Sequence, residues 1–273
     1  MDWSELAIPW LSVEAELETA MAPALELLMG AAALRPGQSV LDIGCGMGAS
    51  LLAAARAVGP GGHVTAIDIA PPMVARARAR APSNARVLEG DAGRYPLGAA
   101  RFDAAVSLFG AMFFADPAAA FAHVRAAMRP GGRFALVAWG ARAANPWFGV
   151  GQAAVEAVCG AQPAPDPRAP GPFRYADPAA ALGPLRSSGW EAAAETRAVM
   201  LRPAGGAEEV ARVLMTVGSA PSALRAIGAR DAERAQVRAA LVERLRPYDV
   251  PGGLRVPAEL HVITAVAPAK AAG

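Results

Sequence analysis

Residues 40–50 read Val-Leu-Asp-Ile-Gly-Cys-Gly-Met-Gly-Ala-Ser. An apolar strand ends at Asp42, glycine recurs at 44, 46 and 48, and a helix-compatible run follows from Leu51 to Val58. Alternating glycines permit φ > 0 and remove the Cβ atoms that would hold a ligand away from the backbone. The helix start adds unpaired N–H groups and a partial positive charge. A carboxylate at a strand's C-terminal end stands where open α/β sheets bind ligands. Gly44-Cys45-Gly46-Met47-Gly48-Ala49 also satisfies the loose dinucleotide pattern G-x-G-x-x-G/A. Asp42, two residues before the first glycine, would repel a pyrophosphate and attract an ammonium group. A ligand-free turn from strand to helix would need fewer glycines.

Two further acids fall in step. His63 to Ile69 reads as a short buried strand after the Pro-Gly-Gly turn at 60–62, with Asp68 near its tip. Asp68 follows Gly44 at close to the roughly 20-residue offset expected for an acid that accepts ribose hydroxyls. Capping the helix that starts near Pro71 is its alternative use. Arg86 to Ala92 is another short strand with Asp91 at its tip, and Arg101 to Phe109 is a fourth. A helix from Pro117 to Met128 leads to Arg129-Pro-Gly-Gly-Arg133 and a fifth strand, Phe134 to Trp139.

This ordered series over residues 36–140 resembles the class I methyltransferases that use S-adenosylmethionine (SAM). The resemblance implies an α/β, Rossmann-like doubly wound fold: a mostly parallel seven-stranded sheet whose last strand is antiparallel. It implies that Asp42 lies near the methionine ammonium, that Gly44, Cys45, Gly46 and Gly48 pass beneath the cofactor, and that Asp68 holds the ribose. Asp91 and the Ala92 N–H would meet the adenine edge, and Ile69, Met73 and Ser107 complete the implied cofactor set. The product would be S-adenosylhomocysteine.

Composition fits an ordered enzyme. Hydrophobic residues make up 54% and charged residues 18% of 273, so disorder is not expected over most of the chain. The net charge of +2 and the lack of basic clusters interleaved with aromatics argue for no nucleic-acid partner. Arg76, Arg78 and Arg80, alternating with alanine, read as a solvated helix face. Two cysteines, Cys45 and Cys159, cannot build a metal site or a disulfide framework, and no metal is expected. The N-terminus lacks a signal-peptide pattern, and Met21 to Leu34 is too short to span a bilayer, so a cytoplasmic protein without membrane insertion is expected.

One domain is expected over 1–273: an N-terminal helical segment (1–36), a cofactor-binding core (37–145), a Pro-rich loop with helices (146–189) and a helical insertion (206–250). Residues 12–34 have apolar positions at helical spacing, with Pro23 a place to kink or divide the helix. Trp3 and Trp10 read as packing anchors, with the mouth of the cleft as the alternative. Pro163 to Pro172 cannot be a regular helix. Asp177-Pro178 suits a helix start, with Asp as cap and Pro as first residue. The sixth strand is expected near Ala192 to Leu201 and the last near Leu260 to Ala267. Between them, helical patterns occur at Ala207–Val217, Pro221–Ile227 and Asp231–Leu245. These form a cap over the C-terminal strand edge, or alternatively a homodimer surface.

Methyl transfer from a sulfonium needs alignment and desolvation, not protonation of the leaving group. No catalytic residue is assigned: His63, His123 and His261 pair with no acid in the pattern, and Tyr95 reads equally as a lid over adenine. Ser107 to Phe114 is apolar and aromatic, with Gly110 for close approach. It resembles the quinone-ring C-methyltransferases and other small-molecule members, which places Phe109, Met112 and Phe113 against the acceptor. Asn145-Pro-Trp-Phe lies after the fifth strand and is not the Asn-Pro-Pro-Tyr type of motif. The expected activity is methylation of a carbon or oxygen on an apolar, aromatic or quinone-like small molecule. An NAD-dependent oxidoreductase and a non-catalytic SAM-binding protein on the same fold are the rivals.

Overall fold

A computed structural model describes residues 3–161 and 169–268, with side chains described from residue 7 onward. The strands of the main sheet are β1 (Ser39–Ile43), β2 (His63–Asp68), β3 (Ala85–Glu89), β4 (Phe102–Leu108), β5 (Met128–Trp139), β6 (Glu191–Leu201) and β9 (Val256–Val266). Short apolar runs, buried almost without interruption in β1, β2 and β4, form its centre. A two-stranded ribbon, β7 (Asp249–Val250) with β8 (Gly253–Leu254), lies apart. The sheet order is β3-β2-β1-β4-β5-β9-β6. β1 to β5 pair in parallel, and β9 runs antiparallel between β5 and β6. The expected doubly wound sheet with its antiparallel last strand is therefore present. The order reverses between β1 and β4, the switch point where such sheets hold ligands.

The helices are α1 (Trp3–Leu11), α2 (Glu14–Ala32), α3 (Ala49–Val58), α4 (Pro71–Arg80), α5 (Pro117–Ala127), α6 (Pro146–Cys159), α7 (Ala179–Ser187), α8 (Ala207–Thr216), α9 (Ser219–Ala226) and α10 (Asp231–Leu245). Asp116 caps α5 by accepting from the Ala119 N–H at 3.1 Å, with Pro117 as its first residue. α7 begins one residue later than expected, at Ala179. The Asp177 carboxylate still accepts the Ala179 N–H at 2.9 Å, so the capping chemistry survives the shift.

Four expectations need correction. The N-terminal helix divides between Leu11 and Glu14, and α2 runs unbroken through a buried Pro23. Trp10 is 40% exposed and stands outside the buried core; the Trp3 side chain lies outside the described residues. Arg129–Arg133 is absorbed into β5, whose register against β4 shifts between Phe102 and Ala104. Arg76 and Arg78 are exposed, as a solvated face requires, and Arg80 alone is drawn in. Arg76 pairs with Glu14 at 2.7 Å, while Arg80 pairs with Glu14 and with Glu18 (2.5 Å) and donates to the Met47 carbonyl at 2.9 Å. Arg78 donates to the Val87 carbonyl. Arg76 and Arg80 fasten α2 to α4, and Arg80 also ties them to the glycine turn. Of the Pro163–Pro172 stretch, 162–168 lie outside the described residues, and 169–172 are non-helical as expected.

The insertion leaves the sheet between β6 and β9. Leu201, the last residue of β6, pairs with Val256, the first of β9, so the chain leaves and re-enters the sheet at neighbouring points. β6 and β5 both pair antiparallel with β9, so they run the same way and the insertion stands at the carboxyl edge. α10 packs on α6 and α8, and α9 packs on α6 and α8. The apolar i, i+4, i+8 face of α10, Val237, Leu241 and Leu245, is fully buried. Among the described residues no helix is long and apolar enough to cross a membrane.

Candidate active site

The glycine turn leaves β1 with Gly44, Gly46 and Gly48 all at positive φ (68°, 52° and 102°), and Gly48 is the N-cap of α3. The three glycines do different jobs. A Cβ on Gly44 would lie 2.7 Å from the Gly110 Cα, and one on Gly110 would lie 2.6 Å from the Ile43 carbonyl oxygen. The loops after β1 and β4 thus touch backbone to backbone. Gly110 makes room for Gly44, not for an acceptor as its sequence position suggested. At Gly46 a Cβ would meet nothing within 4 Å, so this glycine leaves the turn open above its backbone.

Asp42 is fully buried. One carboxylate oxygen accepts from the Ser50 hydroxyl at 2.7 Å, and the other, Oδ1, has no partner. Burial raises its pKa to about 7; the Ser50 bond opposes the rise and the Asp68 charge adds to it. A buried carboxylate oxygen left unpartnered costs free energy unless something cationic or hydrogen-bonding reaches it. Asp68 bridges two segments: its Oδ2 accepts the Gly46 N–H at 2.8 Å and its Oδ1 the Ala70 N–H at 2.9 Å. Burial also pushes the Asp68 carboxyl upward. Each oxygen retains a lone pair. Cys45 is buried, and burial together with Asp42 and Asp68 raises its thiol pKa, so it is a packed, unreactive residue.

Ile69 is 49% exposed just past β2. Met73 lies one turn into α4 and is half-buried. At the β3 tip the Asp91 carboxylate accepts the Gly93 N–H at 2.8 Å, and Ala92 is buried. Tyr95 packs against Gly90, whose Cβ would lie 2.8 Å from the ring. Asp42, Asp68 and Asp91 therefore stand at the carboxyl ends of three adjacent strands, as their spacing implied.

Past β4 the structure corrects two assignments. The Ser107 hydroxyl donates to the Ile43 carbonyl at 2.9 Å and accepts the Ala111 N–H at 2.9 Å, so it pins the loop and does not reach toward a cofactor. Met112 is 1% exposed and belongs to the core, not to an acceptor surface. Phe109 has φ +65°, an outlier for a bulky residue. That turn lays its ring flat on Trp139 at 4.6 Å and 4° between planes. Trp139 meets Phe148 edge-on at 4.9 Å, and Phe148 meets Phe173 at 4.9 Å. The sequence reading missed this wall because its members come from four separate segments. Phe113 is half-buried.

Two of the three histidines have structural partners, and His63 is exposed at the amino end of β2, away from the strand tips. His261 is buried between Thr196 Oγ1 and the Ala176 carbonyl, both at 3.0 Å, and His123 meets the Tyr95 carbonyl at 2.6 Å. Asn145 is buried and ties the start of α6 to β9: its amide nitrogen donates to the Ala141 and Glu259 carbonyls, and its oxygen accepts the Glu259 N–H. Among the described residues no group of three or more His, Cys, Asp or Glu could hold a metal ion.

Sheet order, glycine turn and acids at three adjacent strand tips define a class I methyltransferase fold. Residues 40–132 match the family model for a methyltransferase domain. Nocamycin O-methyltransferase of Saccharothrix syringae is 42% identical over 106 residues, 37% of this chain and 38% of that protein. The chain spans less than half the length of the curated relatives it matches. Solved structures share the fold: the [4+2]-cyclase SpnF (TM-score 0.54, 19% identity, 90% of this chain and 81% of that one) and geranyl diphosphate methyltransferase in complex with SAM (TM-score 0.50, 15% identity, 93% and 88%).

Proposed function

We propose that this chain transfers the methyl group of SAM to a carbon or oxygen of an apolar, aromatic or quinone-like small molecule. The observation that carries the reading is Asp42 Oδ1: a fully buried, unpartnered carboxylate oxygen beside an open glycine turn suits a ligand's ammonium group. SAM would supply an electrophilic methyl on a sulfonium. In this reading Asp42 faces the ammonium side, Gly46 leaves room above the turn, and the free lone pairs of Asp68 accept ribose hydroxyls. Exposed Ile69 gives the adenine an apolar face, with Met73, Asp91 and Ala92 around it.

The acceptor would meet Phe109, Phe113 and the ring wall behind Phe109. These aromatic surfaces exclude water and fix the acceptor's plane. Alignment of this kind is worth about 7–11 kcal/mol of a barrier without any acid or base. The paired or buried histidines fit a mechanism of positioning. The O-methylating relative supports the small-molecule class. The fold alone does not, since one structural neighbour is a cyclase.

Calorimetric titration with S-adenosylhomocysteine, with NADH as the parallel ligand, tests the cofactor. Micromolar binding of the first and none of the second supports the proposal; binding of NADH alone overturns it. Methyl-labelled SAM with a panel of phenols, naphthols and quinols then tests the transfer. S-adenosylhomocysteine binding with no turnover on any acceptor class would favour a non-catalytic binding protein.

A further inference from the structure

At the carboxyl edge, a groove runs between the start of α6 and the end of α10. It is lined by Arg142, Pro146, Val150, Ala153, Arg244 and Tyr248. Two guanidinium groups face one mostly apolar groove, and neither has a carboxylate partner among the described residues. Arg142 Nη1 reaches only the Gln152 amide oxygen, at 3.4 Å, and the Gln152 nitrogen donates onward to Glu156 at 2.8 Å. Arg244 Nη1 donates to the Ala240 carbonyl at 3.3 Å. On the same helix Arg238 pairs with Glu208 at 2.7 Å, and Arg246 near its end pairs with Glu243 at 3.0 Å. The ion pairs available locally have thus gone to the arginines that point elsewhere.

Arg142 joins the groove to the aromatic wall. The Arg142 guanidinium lies 4.1 Å from the centroid of Phe173, the last ring in the line from Phe109 through Trp139 and Phe148. Stacking on Phe173 holds the guanidinium plane in place while leaving its N–H edge available, the geometry in which arginine recognises planar oxyanions. Burial pulls the Arg142 pKa down, which marks a guanidinium partly stripped of water without a countercharge in return. A half-buried cation in that condition gains more from an anion than an exposed one does.

We propose that the acceptor is an aromatic molecule bearing an anionic group, a carboxylate or a phosphate ester, held by Arg142 and Arg244 with Tyr248 at the groove wall. This rests on the methyltransferase reading for the word acceptor, but the anion site stands on its own geometry. The aromatic body would lie along the ring wall and the anion at its far end, so charge selects the substrate and sets its direction.

A matched pair of probes, 2-naphthoate and 2-naphthol, tests this by fluorescence titration of the full chain in the presence of S-adenosylhomocysteine. The wild type should bind the naphthoate at least tenfold more tightly, and inorganic phosphate should compete with it. The double variant R142Q/R244Q should erase that preference while leaving naphthol and S-adenosylhomocysteine affinity within twofold. R142K/R244K should keep most of it, which separates lost charge from lost packing. Equal affinity for the two probes in the wild type, or a preference that survives R142Q/R244Q, would overturn the proposal. A naphthoate preference without any S-adenosylhomocysteine binding would uphold the anion site and sink the methyltransferase reading instead.

Discussion

Replacing Asp42 by asparagine should make the protein more stable above neutral pH and a poorer binder. In the native state the Asp42 carboxyl titrates at about 7 against an ordinary value of 3.8. Between those two values the folded chain keeps a proton that the unfolded chain has lost. Stability therefore falls as pH rises, by about 1.4 kcal/mol per unit, to a full cost of about 4 kcal/mol above pH 7. Below pH 3.8 both states are protonated and the cost is gone. Asparagine removes the charge and keeps an acceptor for the Ser50 hydroxyl. It places N–H donors where Oδ1 had no partner, at a cost of about 1–3 kcal/mol. The net gain should be about 1–3 kcal/mol at pH 8 and should vanish or reverse at pH 5. Urea unfolding of both proteins at the two pH values reads this directly. Affinity for S-adenosylhomocysteine should meanwhile drop at least tenfold, the loss of one charge-assisted contact. The binding enthalpy of the wild type near pH 6.5 should also vary with buffer ionisation, because an arriving ammonium expels the Asp42 proton. If Asp42→Asn is less stable than the wild type at pH 8, or if the difference ignores pH, the assignment of a buried, strained charge is wrong.

Three other outcomes follow from contacts described above. Gly110→Ala should cost roughly 1–3 kcal/mol, since its Cβ would strike the Ile43 carbonyl and Gly44, both backbone; an unchanged melting temperature would refute the close approach. Ser107→Ala should lower stability by about 1–3 kcal/mol while leaving S-adenosylhomocysteine affinity within twofold. A large affinity loss at unchanged stability would restore the hydroxyl to the cofactor. Arg80→Gln should release α2 from α4 and the Met47 carbonyl, and limited proteolysis should then cut N-terminal to residue 37 faster than in the wild type. Equal cleavage rates would show that the packing of α2 alone is sufficient.

The features that could be read in advance are those whose cause lies within a dozen residues. The glycine turn, the strands ending at Asp42, Asp68 and Asp91, and the three insertion helices each carry their own periodicity and stops. What escaped the reading depends on partners far along the chain. Arg80 looks solvated until Glu14 and Glu18 are folded against it. Gly110 looks like an opening for a substrate until Gly44 arrives from another strand. Ser107, on β4, and Met112, past it, are both buried, and the chain between them adopts a left-handed turn at Phe109. Local patterning does not encode that turn, because φ > 0 at phenylalanine is held in place by the flat contact with Trp139.

The pairing of Leu201 with Val256 has a practical consequence. Everything between them is attached to the sheet through two backbone ends that are cross-strand neighbours, about 5 Å apart. A replacement segment of any length must meet that spacing and cover the face of α6 on which α9 and α10 pack, since loop closure grows slowly with length once the ends are already together. The carboxyl-edge module that supplies Arg244 and Tyr248 can therefore be exchanged like a cartridge while the cofactor turn, on the opposite half of the sheet, keeps its register. For redesign, the proposed acceptor site and the proposed methyl-donor site would be separately adjustable parts.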